Sequence, residues 1–290
     1  MKRKLNRGIT LVALIITIIV LLILAVVAIS AVNGEGIIAH AQNSKKEYSQ
    51  SQTNEQVLID KYLDKLDEEI LNEKYELWDG TSSEPTEKTE KEIHIYKVSE
   101  LKWLQEQVEA GEAFEGYIVY LENNLDLGAR EAAGDTIEAK WKTEANRAKR
   151  WTPISKTADT PFKATFEGNN HIIKGVYVEE TTKFNGIFGR TEAPIQNLTI
   201  KNSYIEGLNC SAGIIGRSGT NGIITNCHNI NTTVILLEGT NYTCGGVVGQ
   251  GEADIINCSN SGKIIAYGAK EYSQCGGIVG RQVERKYIKL

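Results

Sequence analysis

The sequence predicts a mainly β protein, a parallel right-handed β-helix (β-solenoid) ectodomain with an N-terminal transmembrane α-helix and a helical stalk. Three observations predict it. A glycine-framed motif returns four times, as "NGIFGR", "AGIIGR", "GGVVGQ" and "GGIVGR". A second motif, "IQNL", "ITNC" and "IINC", runs in phase with the first. An uncharged apolar run lies near the N-terminus, and a polar, helix-prone stretch follows it.

From Ile9 to Val32 the chain has 24 residues without charge or proline, more than the roughly 20 that a helix needs to cross a bilayer. Lys2, Arg3, Lys4 and Arg7 precede this run, which orients the N-terminus to the cytoplasm and the rest of the chain outward. An ordinary secretory signal has a shorter core and a small-residue cleavage site, of which "AVVAISAVNG" is a weak version. Gly8 stands at the junction between basic head and apolar run. Residues 2 to 45 thereby resemble the N-terminal segment of type IV prepilins, in which a membrane peptidase cuts after the glycine and leaves the helix on the mature protein. The resemblance implies a leader at 1 to 8, processing between Gly8 and Ile9 by a prepilin peptidase, and a single-pass cell-membrane protein with an extracellular ectodomain. Pilins usually carry a glutamate at the fifth mature residue, and here that position is Ala13. An intramembrane carboxylate is costly without a partner, so its absence removes a specific filament contact and leaves insertion intact.

The expected organisation is a transmembrane helix at 9 to 32, a stalk at 33 to 78, a polar linker at 79 to 92, and solenoid beyond. Ile59, Leu63, Leu66 and Ile70 draw one apolar stripe along the stalk. "DGTSSEPTEKTEKE" has no apolar residue and reads as flexible chain. Residues 93 to 184 form the N-terminal part of the solenoid with a capping helix. Ser99 is the expected N-cap, Leu101, Leu104 and Val108 the buried face, and Gly111 the stop. "YIVYL" reads as a strand, 129 to 150 as a surface loop or helix, and "GNN" as a turn within "FKATFEGNNHIIKGVYV".

The repeats occupy 185 to 290. Their framing glycines are Gly186 and Gly189, Gly213 and Gly216, Gly246 and Gly249, and Gly277 and Gly280. The leading glycines are 27, 33 and 31 residues apart, and Asn197, Asn226 and Asn257 of the second motif follow at 29 and 31. Two phase-locked signals mean a repeated structural unit. A single coil cannot bury its inner face, whereas stacked coils bond every rung to the next about 4.8 Å away. Glycine suits corners where a Cβ would clash. Cys227 and Cys258, like Cys244 and Cys275, are 31 residues apart; both pairs are expected to stack in the core, chiefly as thiols, and the asparagines to form an amide ladder. These residues resemble the GLUG-motif repeats of bacterial surface proteins, adhesins and the non-catalytic regions of IgA-cleaving peptidases. "LENNLDLG", "WTPIS" and "FEGNNHIIKG" resemble the segment that often precedes such repeats. That family implies a scaffold and no particular activity.

The formal net charge is −5, and loss of the leader would make it more negative. No nucleic-acid partner is expected of such a chain. Five cysteines without a CxxC, and four scattered histidines, give no zinc pattern, and no cofactor is expected. A polysaccharide lyase or glycosidase would need convergent acids or an acid cluster holding calcium. Asp126, Asp135, Asp159, Glu167, Glu179 and Glu180 lie in the first half of the ectodomain, and Glu206, Glu238, Glu252, Asp254 and Glu271 in the repeats; none recurs with a partner in the repeat register. The expected function is therefore a membrane-anchored surface protein, adhesin-like and non-catalytic, that binds an extracellular protein or glycan. "NCHNINTT", "NCSNSGK", Tyr204, Tyr242 and Tyr267 are the candidate contacts. A minor pilin or pseudopilin and a β-helix enzyme are the alternatives.

Overall fold

The computed structural model describes residues 7–33, 43–45, 74–179, 183–238, 242–267 and 272–283. The chain divides into two units, Met1–Glu73 and Lys74–Leu290. In the first, Arg7–Asn33 is a helix that contains Gly8 and Ile9 in its first turn. Its described side chains run from residue 14 to 29, and among the described residues no helix is long and apolar enough to cross a membrane. The apolar stripe of the stalk, Ile59 to Ile70, lies outside the described residues.

In the second unit, strands stack into five sheets that the chain visits in a fixed order. The first complete coil passes through Thr165–Glu167, Ile172–Lys174, Tyr177–Glu179, Phe184–Asn185 and Phe188–Thr191, one strand in each of the first to fifth sheets. The second coil runs from Ile195 to Ser218, the third from Ile223 to Gly251 and the fourth from Asp254 to Gln282. All pairing between coils is parallel; for example, Phe166, Ile195, Ile224 and Ile255 stand one above another. Incomplete turns precede these coils. Glu92–Ile95 and Ile118–Leu121 extend the first sheet, and Tyr75–Leu77 and Asn124–Asp126 extend the second. The strand Phe184–Asn185 straddles the division expected between 184 and 185.

Each of the four leading repeat glycines follows directly on a strand of the fourth sheet, and each second glycine is the second residue of a fifth-sheet strand. Close approach explains all but Gly277, which lies on the last described coil and has nothing within 4 Å of a Cβ. A Cβ on Gly213 would meet Asn229 Oδ1 at 2.5 Å and the Gly246 carbonyl oxygen at 2.7 Å, and one on Gly246 would meet the Gly277 carbonyl oxygen at 2.3 Å. The inward side of the coils holds the main core, with Trp151, Phe162, Phe166 and Phe188 fully buried near its beginning and Ile224, Val234 and Val248 further along.

Three local features differ from the sequence expectation. Tyr75–Leu77, expected at the end of the helical stalk, is instead a strand of the second unit, where it pairs with Asn124–Asp126. The capping helix spans Val98–Glu109 with Lys97 as N-cap. Ser99 does not cap it: Ser99 Oγ instead accepts from Ser83 Oγ at 2.8 Å, while Glu100 turns back to accept from the Tyr96 and Lys97 amides at 2.7 and 3.0 Å. Residues 79 to 92, expected as a free linker, lie inside the second unit. Their polar side chains bond the capping helix, as Ser82 Oγ does to Glu106 at 2.6 Å, and Glu87–Lys88 pairs antiparallel with Ile93–His94. Composition predicted flexibility because the residues that fix the stretch, Glu106 on the capping helix and Ile93–His94, lie outside it.

Candidate functional site

Along the fifth sheet Arg190, Arg217, Gln250 and Arg281 stand opposite one another on successive coils. They are the last residues of the four glycine motifs, so the repeat itself writes this row. Arg190 pairs with Glu192, Arg217 is 3.9 Å from Glu252, and Arg281 makes no ion pair among the described residues.

A second row follows the corner between the first and second sheets. Asn197, Asn226 and Asn257 have φ of 56°, 53° and 52°, a left-handed conformation that asparagine tolerates better than other side-chain-bearing residues. Asn226 Nδ2 donates to Asn197 Oδ1 at 2.9 Å, and Asn257 donates likewise to Asn226. The ladder ends on Glu167, which accepts from Asn197 Nδ2 at 2.9 Å and from Gln196 Nε2 at 2.8 Å. A shorter copy links Asn231 to Asn202 at 2.8 Å. Within "NCHNINTT", however, Asn229 is buried and donates to Asn260 Oδ1 at 2.9 Å, so the run is not wholly outward.

Of the three tyrosines expected on the surface, Tyr267 is exposed, Tyr242 is half-buried and Tyr204 is fully buried. The segment 129 to 150 buries Tyr204. It forms two short helices, Ile137–Trp141 and Glu144–Arg147, and lays Trp141 on Tyr204 with ring centroids 5.7 Å apart. Tyr204 in turn stacks on Tyr177 at 5.5 Å. Burial, then hydrogen bonding to a carboxylate, pushes both phenols well above their ordinary pKa.

Beside the rings, Glu179 and Glu206 stand opposite each other on adjacent coils. This corrects the expectation that no acid recurs in register. The available signal was short: Tyr177-Val178-Glu179 and Tyr204-Ile205-Glu206 recur 27 residues apart, the spacing that also separates Gly186 from Gly213. The pair is heavily engaged. Tyr177 and Tyr204 hydroxyls donate to Glu179 and Glu206 at 2.8 and 2.5 Å. Lys142 Nζ lies 2.8 Å from Glu206 and 3.9 Å from Glu179, and Arg147 and Arg150 each reach Glu179 at 3.2 Å. Burial alone would raise the Glu179 carboxyl, but the Arg147 and Tyr177 hydrogen bonds and the Arg147 and Lys142 charges outweigh it and hold the group below its ordinary value. A general acid needs the opposite shift.

The remaining candidate acids do not converge on that pair. Asp126 is buried and bonded to Arg130. Asp135, Asp159 and Asp254 are exposed, and Glu180 and Glu271 lie outside the described residues. A constellation that sequence spacing missed sits on the first sheet. His94 stacks on Tyr120 at 4.9 Å and its Nδ1 lies 2.7 Å from Glu122 Oε1. The alternation in "IHIY" and "IVYL" was the available signal, since it puts His94 and Tyr120 at paired positions.

The cysteines divide. Cys244 and Cys275 are opposite each other and joined in a disulfide, with α-carbons 4.5 Å apart. This corrects the expected thiols: facing residues at one-rung spacing are within bridging distance. Cys275 is also exposed, not in the core, because its strand lies on the last described coil. Cys227 is buried, Cys258 half-buried, and both are free, as is the buried Cys210. Among the described residues no group of three or more His, Cys, Asp or Glu could hold a metal ion.

No family model matches the chain. It is 32% identical over 165 residues to halomucin of Haloquadratum walsbyi, an alignment covering 55% of this chain and 2% of that protein. The chain thus spans a small fraction of the curated relative it matches. Among solved structures, a "putative immunoglobulin A1 protease" from Bacteroides ovatus superposes with a TM-score of 0.41 at 15% identity, covering 69% of this chain and 74% of that one.

Proposed function

We propose that this protein is a bacterial cell-surface binding protein. The apolar helix from Ile9 to Val32 anchors it as a single pass, after a prepilin peptidase has cut between Gly8 and Ile9, and the GLUG-like solenoid recognises an extracellular ligand without turning it over. The observation that carries the reading is the alignment of like groups in rows: Arg190, Arg217 and Arg281 on one sheet, and Asn197, Asn226 and Asn257 on one corner. Rows at a rung spacing of about 4.8 Å suit recognition of an extended, repeating polymer, of which a glycan chain is the best fit. Catalysis asks instead for a few groups in one constellation. The one in-register acid pair among the described residues, Glu179 and Glu206, supports binding over hydrolysis because lysine and tyrosine already occupy it.

The test uses the full chain in detergent against arrays of neutral and acidic glycans and matrix proteins, with reducing-sugar release followed in parallel. Saturable binding that weakens when Arg217 and Arg281 are both changed to Gln supports the reading. Sustained product release that disappears in Glu206→Gln overturns it in favour of an enzyme. Intact mass of membrane-extracted protein tests the anchor: a chain beginning at Ile9 is expected, and one beginning at Met1 or near Asn33 refutes prepilin-type processing.

A further inference from the structure

We infer that Cys227 and Cys258 form a second inter-coil redox site, a dithiol that closes to a disulfide by exchange with a low-molecular-weight disulfide. Four observations carry it, and none depends on the ligand reading above. First, the residues that flank the two cysteines are in register: Thr225 opposes Ile256, and His228 opposes Ser259. The Ser259 amide also donates to the Cys227 carbonyl at 3.2 Å. Second, the thiols occupy equivalent niches one rung apart. Cys227 Sγ donates to the Ile195 carbonyl at 3.5 Å, and Cys258 Sγ to the Ile224 carbonyl at 3.5 Å, where Ile195 and Ile224 are themselves rung partners. Third, both thiols are free, so the pair stands in its reduced form. Fourth, the molecule contains the product of the same reaction between the same two coils: Cys244 and Cys275, also opposite each other, are already bridged.

The two sulfurs are not equivalent, which sets the order of events. Cys258 is half-buried and Cys227 buried. Interaction with Cys227 draws the Cys258 thiol down to about 7, whereas interaction with Cys258, together with burial, pushes the Cys227 thiol up. Cys258 is thus the attacking thiolate, since the thiolate is the nucleophile and an accessible one with a pKa near ambient reacts best. It displaces one thiolate from a small disulfide such as oxidised glutathione and forms a mixed disulfide. Cys227 then loses its proton, attacks the Cys258 sulfur and expels the second small thiol. Two protein thiols are oxidised, one small disulfide is reduced, and the two protons appear on the released thiols. Cys210 has no such partner: it opposes Thr243.

Closure staples the fourth coil to the third at the corner between the first and second sheets, in addition to the bridge in the fourth sheet. The outermost described coil would then be held by one bridge or two according to the surrounding thiol–disulfide balance.

The experiment takes the full chain in detergent, purified with the Cys244–Cys275 bridge intact, and incubates it with excess oxidised glutathione. Unfolding without reduction, alkylation and peptide mapping then count thiols. One free thiol at Cys210 and a Cys227–Cys258 linked peptide are expected, with a fall of two alkylated positions from the starting three. In Cys227→Ser, Cys258 should stop at the glutathione mixed disulfide, and in Cys258→Ser, Cys227 should remain a thiol. Three thiols persisting in the wild type, a stable glutathione adduct on wild-type Cys258, or linkage of either residue to Cys244 or Cys275 would each overturn the proposal. Fluorescence of the buried tryptophans, unchanged between variants and wild type, shows that the counts come from folded protein.

Discussion

Where Trp141 lies over the third sheet, the coils are filled and covered by aromatic rings; two coils further on, the same backbone course is filled by aliphatics, amides and sulfur. Tyr177 and Tyr204 are buried on the outer side of the third sheet under residues 129 to 150. On the next coils Thr233 and Lys263 hold the same positions. In the fifth sheet Phe188 is succeeded by Ile215, Val248 and Val279. Backbone pairing is constant along the stack, so it cannot distinguish the two ends. The difference teaches that the early coils gain their stability from ring volume, whereas the later coils rely on side chains that repeat from rung to rung and on a covalent bridge.

The largest expected effect comes from removing ring volume in the early coils. Phe188 is fully buried and packs against Phe162 and Phe166 at 5.6 and 5.1 Å. Phe188→Ala should cost about 3 to 5 kcal/mol, whereas Ile215→Val, one rung on, should cost about 1 kcal/mol. Urea unfolding followed by tryptophan fluorescence reads the part of the chain before the repeats, where all four tryptophans lie. Equal costs at the two positions would mean that ring volume does not set the early coils apart.

Next comes the covalent term. Cys244→Ser opens a bridge between residues 31 apart, which should remove about 3 kcal/mol from the junction of the third and fourth coils. Solenoid stability is nearly a sum of neighbour terms, so the loss should stay local. Hydrogen exchange should accelerate in Lys263–Ala266 and Val279–Gln282 and stay unchanged in Thr165–Glu167. The comparison fails if exchange rises evenly along the stack.

Trp141→Ala tests the cover. Losing this side chain, 4% exposed against Tyr204, should cost about 2 kcal/mol and speed proteolysis within 129 to 150. The cover is also acid-sensitive. Glu179 sits below its ordinary value of 4.5 in the folded protein, so its contribution is complete above that value and fades as pH falls through the lower, folded one. Proteolysis of the cover should therefore quicken below about pH 4 in the wild type, and Glu179→Gln should flatten that dependence. A cover equally resistant at both pH values would show that the Arg147 and Lys142 contacts do not hold it.

The same division governs how much of the molecule the sequence revealed. Repetition made the later coils legible: the glycines, Asn197, Asn226 and Asn257, and the alignment of the cysteines all follow from spacing. The helix at 98 to 109 was legible from its own apolar stripe. The cover was not, because Trp141 and Tyr204 are 63 residues apart and no local pattern joins them. The Glu179 and Glu206 pair was legible only through a three-residue motif, Tyr177-Val178-Glu179 and Tyr204-Ile205-Glu206, that occurs on two coils and is lost on the next, where Thr233 and Ile235 stand in place of the tyrosine and the acid. Tyr75–Leu77 pairs with Asn124–Asp126, a contact across a polar stretch that composition alone marks as a break. The disulfide fell between these cases: spacing aligned Cys244 with Cys275, and only the geometry of the rung showed that aligned thiols meet.

The smallest effect separates the two parts played by one ladder residue. Asn226 supplies an amide that bonds Asn197 and Asn257, and it supplies a backbone at φ 53°. Asn226→Gly removes the amide but suits the left-handed backbone, so it isolates the ladder, and about 1 kcal/mol should be lost. Asn226→Ala removes the amide and adds the left-handed penalty, roughly 1 to 2 kcal/mol more. If the ladder matters to the later coils as ring volume does to the early ones, the glycine variant should raise hydrogen exchange at Asp254–Ile256 while Phe166 stays protected. If the glycine variant matches wild type and only alanine loosens that strand, the asparagines are there for their turn. The row of amides would then be a consequence of the corner's shape, and the later coils would rest on aliphatic packing and the Cys244–Cys275 bridge alone.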